Sequence, residues 1–206
     1  MIRVVAAFLI LLVERSIAFN GGLNLWQWIG VQTILFTLIP LLAIGRFNIK
    51  PGDFGLAQGD LRFGLKTAFM LIAIALPLMA YGASQPAFKA YYPIWAPART
   101  SALNFIFLEL AVLLMMFNTE FYFRGLLLFS LDRSLSKQRM GRWIAVLADS
   151  SIYMLAHLGK PGLEVQYSFF VGIVFGWLAL RTKSIFPSLA AHWISSVLFD
   201  LMVIVL

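Results

Sequence analysis

Three long apolar stretches of this 206-residue sequence carry ionisable side chains in their midst: Glu109, Glu120 and Arg124 in one, Asp149 and His157 in the next, His192 and Asp200 in the last. Such groups are expensive in hydrocarbon and are functional candidates by default. The chain has only two histidines, and both are in this set. Imidazoles beside carboxylates can move protons to and from water in a hydrolysis. Their spacing is informative. Glu120 and Arg124 are four apart, so they share a helix face and can pair. Glu109 precedes Glu120 by eleven residues, close to three turns, which puts both carboxylates on that face. His157 follows Tyr153 by four, and Ser196 follows His192 by four. One interior site fed by three helices would satisfy these groups together. The plainer alternative gives each a local role: Glu120 and Arg124 neutralise one another, the histidines hydrogen-bond between helices, Glu109 is a structural partner, Asp149 caps or pairs locally, and Asp200 sits near the outer membrane face.

The elements that must position these residues are membrane helices. The chain is 61% hydrophobic and 12% charged, against about 25% charged in ordinary soluble domains. A bilayer span needs about 20 mostly apolar residues. The expected fold is therefore all-α, a polytopic transmembrane bundle of about seven helices, near 3–20, 25–45, 63–83, 103–129, 143–159, 166–181 and 185–206. The apolar runs are too long and continuous for barrel strands, and helices satisfy their own backbone groups in lipid. The whole of 1–206 reads as one membrane domain, with the N-terminal segment as a retained first helix.

The loops give an orientation. Arg3, Arg46, Lys50, Arg62, Lys66, Arg133, Lys137, Arg139, Arg142, Arg181 and Lys183 fall on one side; Arg15, Lys89, Arg99 and Lys160 fall on the other. The basic side is expected to be cytoplasmic, which puts the N-terminus inside and the C-terminus outside a cell membrane, inner or plasma. The net charge of +7 is explained by those loops, so no nucleic-acid partner is expected. The loop near 84–102 is rich in proline and aromatics and places Tyr91, Tyr92 and Trp95 at headgroup level. Ser168, Gly172 and Gly176 recur every four residues and read as a close-packing stripe. The chain has no cysteine, which excludes thiolate catalysis, disulfides and cysteine-bound metals.

At the polar residues the sequence resembles the CPBP family of intramembrane proteases, which includes CAAX prenyl endopeptidases and bacteriocin-processing enzymes. The family's EExxxR motif is matched by Thr119, Glu120 and Arg124, its FxxxH motif by Tyr153 and His157, and its HxxxN or HxxxD motif by His192 and Ser196. They occur in the family's order over residues 103–200, a CPBP-like core. The resemblance implies water attack on a peptide bond of a membrane-associated protein or peptide, at a site of Glu120, His157 and His192. Arg124 would orient Glu120, and Ser196 would serve as an oxyanion or water contact. Metal involvement in this family has been argued both ways. A divalent metal such as zinc could be held by His157, His192 and Glu120 with a water position open. That would consume Glu120 as a ligand and leave no obvious base unless Glu109 serves, so a metal-free reaction is favoured over a metal-dependent one.

Two positions depart from the family pattern. Thr119 stands where the first, water-activating Glu is found, and Ser196 stands where the Asn is found. A threonine hydroxyl is no general base near neutral pH, and Glu120 points about 100° away from position 119. The sequence therefore carries a second reading, a non-catalytic scaffold or pseudoprotease binding a partner helix. A third, a small transporter using the same groups as a proton relay, is disfavoured because no inverted repeat is visible.

Overall fold

The structure is a computed structural model and describes residues 2–206. Eight helices follow one another: α1 Ile2–Asn20, α2 Leu25–Arg46, α3 Leu61–Ser84, the short α4 Pro86–Tyr91, α5 Ala102–Ser134, α6 Gly141–Ala156, α7 Gly162–Thr182 and α8 Phe186–Val205. The seven long helices match those expected from the apolar runs, and α4 lies within the aromatic loop near 84–102. Their starts are set by local chemistry. Asn24 accepts from Gln27 N–H while the Gln27 side chain accepts from Asn24 N–H, a capping box opening α2. Asp60 and Ser101 cap α3 and α5 through Phe63 N–H and Asn104 N–H.

Five helices, α2, α3, α5, α7 and α8, are long and apolar enough to cross a bilayer. The chain is thus a multi-pass integral membrane protein. Of the other two long helices, α1 carries Arg3, Glu14 and Arg15. Helix α6 has 16 residues, about 24 Å at 1.5 Å per residue, short of the ~30 Å hydrocarbon core.

The longest helix, α5, sits centrally and organises the site. It runs to Ser134, past the expected end near 129, and its middle, Phe121–Leu128, is π-helical and buried throughout. Extra-wide turns of this kind are frequent at functional sites. Gly125 lies so close to the loop carbonyl of Phe54 that a Cβ would meet that oxygen at 2.8 Å. Tyr122 Oη donates to the Ala7 carbonyl at 2.7 Å and ties α1 to α5. Asn118 links α5 to α2, accepting from Thr37 Oγ1 at 2.7 Å and donating to Thr33 Oγ1 at 2.9 Å.

Helix α6 packs along α7, and α3 along α8. The small-residue stripe does what its spacing predicts. At Gly172 an added Cβ would lie 3.0 Å from Ser150 Cα, so the α6 and α7 backbones touch. In the loop between α3 and α5 Tyr91 is exposed. Tyr92 instead turns inward, its Oη donating to the Glu164 carboxylate at 2.8 Å. Burial and the Glu164 charge push this phenol well above its ordinary range, so it stays a donor. Trp95 packs edge-on against Trp26 and Phe107.

Candidate active site

The length of α5 brings the two histidine-bearing helices to one level. From Thr119 to Ser134 the helix descends roughly 20 Å, its π-helical turns advancing less per residue than the ~1.5 Å of an α-helix. After a short turn α6 climbs back about 24 Å from Gly141 to His157. His157 therefore ends up beside the middle of α5, although a helix ending near 129 would have left it too high. The helix stops there because Gly159 takes φ 95° and Pro161 follows.

His192, near the start of α8, completes the cluster. Its Nδ1 lies 2.8 Å from Glu120 Oε1. Glu120 is wholly buried, and its Oε2 lies 3.6 Å from Arg124 Nε. Arg124 is also wholly buried, and its Nη1 donates to Asp149 Oδ2 on α6 at 3.0 Å. With Nδ1–H donating to the carboxylate, His192 Nε2 carries the lone pair. It accepts from Tyr153 Oη–H at 3.3 Å. The Tyr153 ring lies 4.4 Å beneath the Arg124 guanidinium and 4.4 Å from the His157 ring. His157 Nδ1 donates to the Tyr153 carbonyl at 2.8 Å.

A cavity of about 50 Å³ opens on this cluster, with Thr119, Tyr153, His157 and His192 among its walls. Arg15, Lys160, Trp28 and Gln32 line it too. It has room for a water or two, and it offers the polar partners a buried water needs. Glu120 does not line it and reaches it through His192. Thr119 Oγ1 is turned back, donating to the Met115 carbonyl at 2.9 Å. Ser196 is half-buried one turn beyond His192 and is not on the cavity wall.

Three features were not legible at the sequence level. Asp149 is not a local cap but the second carboxylate on Arg124. Arg15 and Gln32 reach the cavity from α1 and α2, outside the motif segment. Their polarity inside apolar helices was the available signal. Glu109 shares a helix face with Glu120 in projection, yet lies about 16 Å along the axis from it. Its buried carboxyl instead faces that of Asp200 on α8. It lines a separate, larger cleft of about 400 Å³ between α5 and α8, otherwise walled by apolar and aromatic side chains such as Phe105, Ile106 and Trp193.

The donor set does not fit a metal ion in this arrangement. Among the described residues no three His, Asp or Glu side chains are grouped to hold one. His157, His192 and Glu120 form no such group.

Compared with known protein families, residues 101–198 match the one described as Type II CAAX prenyl endopeptidase Rce1-like. Neither the curated proteins nor the solved structures contain a match to the chain. The matched segment carries all three motifs and every residue of the Glu120–Arg124–Asp149–Tyr153–His157–His192 cluster. Residues 101–198 belong to the CPBP/CAAX-protease family.

Proposed function

We propose that this protein is an intramembrane endopeptidase that cleaves a membrane-associated protein or peptide by metal-free water attack. The observation that carries the reading is the 2.8 Å contact of Glu120 with His192 Nδ1 at the edge of a water-sized cavity that both histidines line. A carboxylate behind an imidazole fixes its tautomer and offsets the charge formed when the ring takes a proton. His192 Nε2 then serves as the base that the Thr119 hydroxyl cannot be. It accepts a proton from the cavity water as the water oxygen adds to the scissile carbonyl carbon, and returns it to the departing amine. Arg124, anchored on Asp149, holds Glu120 in place. His157, on the same cavity, is the second imidazole available to hydrogen-bond the water or the amine. Ser196, one turn beyond His192, has the motif position of a water contact and reaches the reacting atoms only once the cavity walls part. Peptide-sized ligands need several hundred Å³, so admission of substrate requires the cavity walls to part. The basic loops favour an N-terminus on the cytoplasmic side of a cell membrane, with the lipid bilayer as the other partner.

A second reading keeps the fold without the reaction, a pseudoprotease that binds a partner helix. The observation in its favour is Thr119, which places no carboxylate on the cavity wall and spends its hydroxyl on its own helix. The test is cleavage of an internally quenched, farnesylated CAAX peptide and of unprenylated membrane-anchored peptides in proteoliposomes. Wild type is expected to cleave at least one, and His192→Ala to be slowed about 100-fold or more, as for loss of a general base. No turnover by wild type on any of them supports the pseudoprotease.

A further inference from the structure

We infer that Tyr153 is a catalytic residue whose hydroxyl hydrogen-bonds the oxyanion formed on the scissile carbonyl. The inference rests on the peptidase reading. The Tyr153 ring is fixed before any substrate arrives. It is packed edge-on against Phe123 at 5.1 Å and against His157, with the Arg124 guanidinium above it. The residue is 2% exposed and lines the cavity, so its hydroxyl acts in a site largely stripped of water. Donors that are aligned and desolvated in advance stabilise developing charge most strongly.

The resting hydrogen bond explains the timing. Tyr153 Oη–H points at His192 Nε2, whose lone pair accepts it. As substrate and water enter, the phenol turns from that nitrogen to the scissile carbonyl oxygen and water takes its place on the single Nε2 lone pair. Water then gives its proton to Nε2, and its oxygen forms a bond to the carbonyl carbon while the C=O π pair moves onto oxygen. His192 Nε2 now bears a hydrogen and cannot recapture the Tyr153 hydroxyl, which stays on the oxyanion. On collapse the oxyanion pair re-forms C=O, the C–N bond breaks, and Nε2–H passes to the amine. Tyr153 keeps its proton throughout, and the sum is peptide plus water giving acid plus amine. Ser196 does not line the cavity wall, whereas the Tyr153 side chain does, which favours Tyr153 for this role.

The test compares wild type with Tyr153→Phe on the farnesylated, internally quenched CAAX peptide in proteoliposomes. Phenylalanine keeps every ring contact. The expected result is a kcat lowered about 100-fold, as for loss of one oxyanion donor, with KM within about 3-fold and the melting temperature unchanged. A kcat equal to that of an active wild type overturns the inference and leaves the peptidase reading standing. If the wild type cleaves nothing, the reaction fails and the role of Tyr153 fails with it. Should Tyr153→Phe fold poorly, 3,5-difluorotyrosine at position 153 retains both ring and hydroxyl. Its more acidic phenol is a stronger hydrogen-bond donor and should raise kcat at neutral pH with KM within about 3-fold. A kcat equal to that of wild type overturns the proposal.

Discussion

Arg124 Nη1 lies 3.0 Å from Asp149 Oδ2, joining the middle of α5 to α6 through two wholly buried side chains. Because Glu120 approaches the same guanidinium at 3.6 Å, one cation serves two carboxylates. Removing one partner from a buried pair costs about 3–5 kcal/mol, because the other charge is left behind. Arg124→Ala leaves two such carboxylates and is expected to reach at least that range. A thermal melt in detergent checks this, and a melting temperature unchanged from wild type contradicts it. Asp149→Asn keeps one carboxylate on Arg124 and should lose less than Arg124→Ala.

Thr119 shares the cavity wall with His157 and His192. Thr119→Glu puts a carboxylate where the family pattern has its water-activating residue, and it is expected to raise the cleavage rate of the quenched peptide about 100-fold, the lower end for a positioned proton-transfer group. If the wild type proves inert, gained cleavage in this variant shows that the rest of the site is intact. A rate no higher than wild type means that position 119 has no access to the reacting water.

The α6–α7 contact predicts a steep size limit at Gly172. A Cβ there already stands 3.0 Å from Ser150 Cα. Gly172→Leu must push two backbones apart, and overpacking costs about 1–3 kcal/mol or more. The yield of monodisperse protein after detergent extraction should fall. Gly162→Ala is the control, since a Cβ there meets nothing within 4 Å. Equal yields for the two variants contradict the close contact.

The loop charges predict a cytoplasmic N-terminus and an external C-terminus. Alkaline phosphatase fused after Leu206 should be active in bacterial cells, and a green fluorescent protein fused there should stay dark. The opposite pattern reverses the proposed orientation.

Much of the fold followed from local chemistry. Long apolar runs demand helices in lipid, whatever packs against them. The Glu120–Arg124 pair could be read for the same reason: an i,i+4 spacing lies within one helix, and helical geometry settles it without knowledge of neighbours. The Ser168–Gly172–Gly176 stripe was legible as a packing face, but not which helix it meets.

The partners across helices were decided only in three dimensions. Asp149 meets Arg124 from 25 residues away, Tyr153 meets His192 from 39, and Glu109 faces Asp200 rather than the site on its own helix. Helical projection gives the direction of a side chain but not the depth at which a neighbouring helix stands. That depth depended on how far α5 ran before the chain turned back. The extra length to Ser134 brought His157 level with Thr119, and no residue near His157 encodes it. Sequence thus named the groups able to move protons, because a polar residue in hydrocarbon is conspicuous by its own cost. Tertiary structure chose which hydrogen bonds each one makes, because hydrogen bonds act over about 3 Å between elements whose heights are set by the whole bundle.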